Sequence, residues 1–351
     1  MKNRRFRIVL WFCFWLTLIT AAGQYLLSAG FPFRFSSLEP YLLRKENDDW
    51  THNAFVMQDL KNRIRTDDSR DFVFIGSSTS LEAITEDSLV NERLLRLTRR
   101  QTRFTSLCSS LMTFSDEIKI VDELGDINCT LLIGIEPLRF KYEARVQLEQ
   151  PLPKYTSSKY YYLSTNSALV AILSDYGFST PITERFSLFR SATAFGEIVK
   201  KQLSYMKETG GEIEYTIHNR HAVGEKKPVS EKDRERLAQG LTNALKRYTE
   251  EFDMNYRLLE KEIDIAASNG NRIILVDLPF NPLFQDEMDQ YYPVYNEKIK
   301  DLVNEKGIEY LDMRTGITLV AEDFRDFHHM RHSGRIRFTE ALADYLAGYM
   351  N

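Results

Sequence analysis

The sequence is short of cysteine, proline, glycine and net charge, and each shortage excludes something. Three cysteines in 351 residues are too few to staple a fold. Cys108 and Cys129 read as two small buried thiols, with a disulfide between them the alternative in an oxidising compartment. Sixteen glycines and ten prolines rule out a collagen-like chain, and a hydrophobic content of 43% rules out a disordered one. Lys and Arg (46) are outnumbered by Asp and Glu (50), for a net charge of −4. Four of the basic residues (Lys2, Arg4, Arg5 and Arg7) fall within the first 33 positions, which hold no acidic residue, so the rest of the chain balances at −8. An acidic body lacks the clustered Lys and Arg that neutralise phosphates, and this excludes a general nucleic-acid binder.

Charge is wholly absent from Ile8 to Leu27. A helix of that length, at ~1.5 Å per residue, spans roughly 30 Å, the hydrocarbon thickness of a bilayer. Residues 1–7 form a basic tail on the amino-terminal side, which predicts a cytoplasmic amino terminus and an exported body, periplasmic or extracellular. The rival reading is a cleaved signal peptide, with Thr20, Ala21, Ala22 and Gly23 offering a cleavage site. The apolar run continues through Tyr25, Leu26 and Leu27, so 8–27 is read as a retained single-pass anchor. Residues 28–69 follow as a juxtamembrane linker and helix.

From residue 70 onward, strand and helix signals alternate. Short apolar runs at 71–76, 103–107, 129–135, 272–278 and 308–312 read as strands, several apolar on both faces. Amphipathic segments follow them, with Thr85 and Ser115 as expected caps and a last helix from about Gly334 to Met350. Such alternation implies an α/β fold with a mainly parallel sheet and helices on both sides. Residues 141–268 interrupt the pattern as a long insertion, whose end (231–268) reads as one or two charged helices. Tyr155, Tyr160, Tyr161, Tyr162 and Tyr176 there read as amphipathic surface, with stacking on sugar rings the alternative.

Two segments carry chemistry. The first is the turn Gly76-Ser77-Ser78 after the first strand, because sites in open α/β sheets lie beyond the carboxyl ends of strands. The second is Asp326-Phe327-His328-His329, just before the last helix. A serine nucleophile needs a base, and the base needs an orienter. Asp326 and His329, three apart on a turn, allow a carboxylate to accept from Nδ1 while Nε2 faces a serine; His328 is the adjacent alternative. His328, His329, His332 and Asp326 also form a local cluster of zinc-type ligands. Adjacent histidines point apart and no second ligand group is evident, so no metal and no cofactor are assigned.

Together the two segments resemble the SGNH (GDSL-type) hydrolase superfamily. FVFIGSSTS is similar to its first block, with Ser77 where the family has Asp and Ser78 where it has its nucleophile. DFHHMRHSG is similar to its last block, Asp-x-x-His followed by a Gly five residues on, which selects His329 and Gly334. The resemblance covers about 70–140 and 270–351. It implies a flavodoxin-like three-layer sandwich and a Ser78–His329–Asp326 triad. It also implies an oxyanion hole drawn from backbone N–H groups at Gly76, Ser78 and Ser110. The plan of anchor, exported domain and insertion resembles membrane-anchored members that assist acyl transfer onto envelope polymers. These include the D-alanylation proteins of teichoic acid and the alginate O-acetylation proteins. The implied function is therefore a serine esterase or O-acyltransferase acting on an acylated carbohydrate or envelope polymer. The alternative is an inactive scaffold that binds a glycan or a membrane-bound O-acyltransferase. Two departures stand out. The second block has no glycine around Ser106–Leu111, and Glu136 occupies the place of an oxyanion-donating Asn. An ionised Glu136 would repel an oxyanion.

Overall fold

The computed structural model describes residues 10–22, 53, 56–57, 59–60, 71–100, 102–110, 112–140, 175, 227–245 and 248–350. The chain divides into two compact units, 1–46 with 151–216 and 47–150 with 217–351. What is described of the first is essentially one helix, α1 (10–22), whose large apolar side chains are exposed. Among the described residues no helix is long and apolar enough to cross a membrane. The rest of the expected anchor 8–27, the linker and helix 28–69 apart from 53, 56–57 and 59–60, and the insertion's tyrosines lie outside the described residues.

The second unit is an α/β fold. Its strands are β1 (Asp71–Ile75), β2 (Arg103–Ser106), β3 (Thr130–Ile135), β4 (Arg272–Asp277) and β5 (Glu309–Asp312). Each lies within one residue of the segment read as strand. All pairings are parallel, in the order β2-β1-β3-β4-β5, which is the flavodoxin-like arrangement. Parallel strands buried on both faces are near-continuous apolar runs, and β1 and β3 are buried throughout, with Asp71 and Thr130 as the polar residues at their first positions. The pleat sends alternate residues to opposite faces. Phe72, Phe74, Phe104, Leu132, Ile274 and Val276 enter one core. There they meet Val90 and Leu94 of a helix Asp87–Thr98 and Phe338, Leu342 and Leu346 of the last helix, His332–Met350. Helices Phe114–Leu124 and Tyr248–Ser268 pack on each other at the opposite layer, around a cluster of Phe114, Phe140 and Phe252.

Helices in chain order are α2 (Ser78–Leu81), α3 (Asp87–Thr98), α4 (Phe114–Leu124), α5 (Glu231–Leu245), α6 (Tyr248–Ser268), α7 (Gln285–Met288), α8 (Tyr292–Lys306), α9 (Met313–Gly316) and α10 (His332–Met350). Although α6 falls inside the stretch read as insertion, it lies directly before β4 and packs on α4 and β4, as the crossover helix of a βαβ unit does. Two expected caps lie elsewhere. α4 starts at Thr113, whose N–H and hydroxyl both reach the Asp116 carboxylate (2.9 and 3.0 Å), rather than at Ser115. The Thr85 hydroxyl is engaged by Thr339 of α10 at 3.0 Å, and α3 begins after Glu86. Cys108 and Cys129 are buried and form no disulfide; their thiols donate to the Phe74 carbonyl and to Asn271 Oδ1, each at 3.5 Å.

Candidate active site

β1 has β2 on one side and β3 on the other, so the chain leaving β1 and the chain leaving β3 diverge and open a crevice beyond their carboxyl ends. The turn after β1 fits there for a steric reason. The buried Ser80 hydroxyl sits over the backbone of both neighbouring strands. A Cβ on Gly76 would lie 1.9 Å from Ser80 Oγ, and one on Gly134 would lie 2.2 Å from it. Both positions therefore exclude a side chain, α2 sits close against the sheet, and Ser78 is left half-buried at its first position.

The histidine loop reaches the same crevice from the other end of the chain. It leaves and returns through an antiparallel bridge between Phe324 and Met330. Asp326 shapes the turn between them: its Oδ1 accepts the backbone N–H groups of His328 (3.0 Å) and His329 (2.8 Å). Two further contacts fix where the loop sits. Buried Asn281 donates from Nδ2 to the Asp326 carbonyl at 2.8 Å. Arg325 forks onto Glu82, just past α2, at 2.5 and 2.8 Å. Gly334 is glycine because α10 starts against the chain at Asp323. A Cβ there would lie 2.8 Å from the Asp323 carbonyl oxygen.

Residues 251 positions apart thus meet. His329 Nε2 lies 2.9 Å from Ser78 Oγ, and His329 Nδ1 lies 2.8 Å from Asp326 Oδ2. A carboxylate can only accept, so Nδ1 carries the proton and Nε2 of the neutral ring accepts from the Ser78 hydroxyl. Burial works against an ionised Asp326, but the hydrogen bond and charge of His329, with His328 beyond, outweigh it and hold the carboxyl below the usual aspartate range. Burial and the neighbouring charge of His328 push His329 below the usual imidazole value, against the pull of Asp326. The site therefore pairs a charged orienter with a neutral base.

These residues open onto a cavity of about 210 Å³. Ser77, Ser78, Thr79 and Thr113 bring hydroxyls to its wall, Met112, Leu138 and Phe327 bring apolar surface, and Glu136, Arg139, His328 and His329 bring titratable groups. Arg139 is spent structurally. It pairs with buried Glu117 at 2.5 Å, donates to the Gly134 carbonyl, and stacks over the Phe114 ring at 4.0 Å.

Of the backbone positions expected to form an oxyanion hole, Ser78 alone lines the cavity. Gly76 is buried beneath it, with its carbonyl taken by Ser109 N–H at 3.1 Å, and Ser110 is exposed on the turn after β2. Sequence reasoning also missed a second carboxylate–imidazole pair. The Nδ1 atom of His328 lies 2.8 and 3.1 Å from the two carboxylate oxygens of Glu136, which also accepts from the Thr79 hydroxyl at 2.7 Å. The available signal was an acidic residue directly after a fully apolar strand, beside a spare histidine in the second segment. Asp326, His328 and His329 each bring a possible ligand atom within 4.8 Å of the others, so the trio could hold a metal ion. In the structure both imidazoles instead hold carboxylates through Nδ1. No protein-family model matches the chain, and no curated protein matches it.

Proposed function

We propose that the protein is a serine esterase or O-acyltransferase of the SGNH type. In this reading it is tethered to a membrane through residues 8–27 and acts on acyl esters of a cell-envelope carbohydrate polymer. The observation that carries the chemistry is the unbroken line from Asp326 through His329 to Ser78 at the mouth of a cavity, 2.8 and 2.9 Å. The flavodoxin-like strand order and the site's place at the divergence of β1 and β3 are consistent with it. The anchor and the polymer rest on the sequence: the uncharged run, the basic tail and the family resemblance.

In this mechanism Ser78 Oγ attacks the acyl carbonyl carbon while its proton passes to His329 Nε2. The carbonyl electron pair moves onto oxygen. Asp326 holds the imidazolium that forms. Collapse of the tetrahedral intermediate expels the alcohol, which takes the proton back from His329. Water or a carbohydrate hydroxyl then attacks the acyl-enzyme, gives its proton to His329, and Ser78 recovers it. Water makes the protein an esterase; a carbohydrate hydroxyl makes it a transferase.

A fluorophosphonate probe tests this directly. Covalent capture of the wild-type chain that disappears in Ser78→Ala, and falls steeply in His329→Gln, is the expected result. A folded wild-type chain that takes no label overturns the enzymatic reading and leaves a glycan- or acyltransferase-binding scaffold.

A further inference from the structure

Glu136 poses a problem for any acyl chemistry at Ser78, since a lone carboxylate at the cavity wall opposes the negative charge that the reaction builds. Its surroundings change the sign of that contribution. The carboxylate is gripped through both oxygens by one imidazole nitrogen of His328 and through one oxygen by the Thr79 hydroxyl. The two halves of this pair are not equally placed: the side chain of His328 is 15% exposed and that of Glu136 only 2%. The imidazole therefore lies at the cavity surface with the carboxylate buried behind it. The His328 ring also stands 4.2 Å, centre to centre, from the His329 ring that takes the serine proton.

We propose that His328, seated on Glu136, is the group that faces the oxyanion, in place of a side-chain amide. The inference rests on the acyl-transfer reading of Ser78. On it, His328 is a catalytic residue, acting on the developing charge, and Glu136 is a positioning residue that holds the ring and supplies its counter-charge. Preorganised positive groups in a partly dehydrated site stabilise the transition state without reorganisation. The electrostatics around the pair agree. Burial opposes an ionised Glu136, yet the charge and hydrogen bond of His328, the Thr79 hydroxyl and His329 together hold it below the usual glutamate range. The charge of His328 in turn depresses His329. On this proposal the adjacent histidines divide into a cation and a neutral base, the pattern by which two like groups take opposite roles. The charged and titratable groups around His328 are Glu136 and Arg139 beyond β3, Asp326 and His329 on its own loop, Tyr292 behind Glu136, and the Glu82–Arg325 pair beyond Asp326. Arg139 and Arg325 pair with Glu117 and Glu82 as His328 pairs with Glu136; of the three, His328 stands against the base, its ring 4.2 Å from that of His329.

The test is the rate of fluorophosphonate labelling of the full chain as a function of probe concentration and pH, in wild type, His328→Gln, Glu136→Gln and Ser78→Ala. In His328→Gln the maximal labelling rate is expected to fall on the order of 10²–10³-fold, as for loss of one oxyanion donor, with the half-saturating probe concentration little changed. In both His328→Gln and Glu136→Gln the acid limb of the rate is expected to move to higher pH, because the cation that depresses His329 is gone. A purely structural role would not move that limb. Labelling of His328→Gln within about threefold of wild type, with an unshifted acid limb, overturns the proposal while leaving the Ser78 reading intact. Absence of Ser78-dependent labelling in the wild type overturns both. Should either variant fail to fold, nitrogen-detected NMR of the wild-type imidazoles decides: a charged His328 at a pH where His329 is neutral supports the proposal, and a neutral His328 there overturns it.

Discussion

Replacing Asp277 by Asn isolates the effect of one buried charge. Asp277 ends β4, is fully buried, and accepts from the Tyr295 hydroxyl at 3.0 Å and the Tyr310 hydroxyl at 2.7 Å. Burial pushes its carboxyl from the ordinary 3.8 up to about 7, against the opposing pull of Arg314 and of the two tyrosine hydroxyls. The native state thus holds a proton that the unfolded chain gives up near pH 4. The sign follows: stability associated with this group is greatest below pH 4, declines as pH rises, and levels off above about 7. Each pKa unit is worth about 1.4 kcal/mol, so the full decline is about 4 kcal/mol. Asn cannot ionise and is close in shape to a protonated Asp; its oxygen can accept from one tyrosine hydroxyl and its amide N–H donate to the other once that hydroxyl turns, so both tyrosines keep a partner. The measurement is urea unfolding of wild type and Asp277→Asn across pH 4 to 8.5, read as the difference between the two proteins, which cancels every other titrating group. The variant is expected to be near-equal to wild type at the acid end and more stable by about 4 kcal/mol at the alkaline end. Two stability curves that run parallel through neutral pH would refute the reasoning, since the carboxyl would then ionise alike in both states.

Other outcomes follow from contacts already described. Gly76→Ala drives a methyl to 1.9 Å from Ser80 Oγ and 2.4 Å from Ser80 Cβ, and is expected to cost about 1–3 kcal/mol or more by chemical unfolding; in a Ser80→Gly background most of that loss should vanish, and an equal loss in both backgrounds would contradict it. Asp326→Asn can keep its Oδ1 bonds to the His328 and His329 backbone only by turning its amide toward His329 Nδ1, which forces the proton onto Nε2; labelling of Ser78 should drop on the order of 10⁴-fold with the fold retained by circular dichroism. Arg139→Met strands buried Glu117, already raised to about 7 mainly by burial, beside Glu262; thermal unfolding should report a loss of about 3–5 kcal/mol at pH 8 that shrinks as pH falls and the carboxyls protonate.

The strands and the parallel α/β class could be read from sequence because fully buried parallel strands leave an unambiguous mark. Runs such as Phe72–Ile75 and Leu131–Ile135 are apolar at every position. The Asp326–His329 contact was legible as types and spacing: the two are local, and a turn three residues long leaves few geometries. Its closure onto Ser78 depends on Asn281 and Arg325, ordinary polar residues whose role arises only from tertiary contact. Caps failed for a related reason. Thr85 and Ser115 have the right chemistry, but one hydroxyl is claimed by Thr339 from α10 and the other helix is already capped two residues earlier by Thr113 and Asp116. Local propensity loses when a distant partner competes for the same group. The Glu136–His328 pair joins residues 192 apart: each stands out in its own segment, but their meeting arises only from the tertiary fold.

That pair alters how Glu136 itself should be judged. Read by position alone, Glu136 is an acidic residue at the wall of a cavity where acyl chemistry would build negative charge. Read by contact, the same residue brings a second imidazole to the cavity and is itself almost wholly covered, with His328 against both oxygens and Thr79 against one. The relevant unit of comparison is then the Glu–His pair rather than the single position, because the charge presented to the cavity belongs to whichever member lies nearer its surface. Burial assigns that place to His328 and the deeper one to Glu136. A substitution at 136 alone would therefore misjudge the position in either direction. It removes an anion from the wall, yet it also releases the ring that this anion holds.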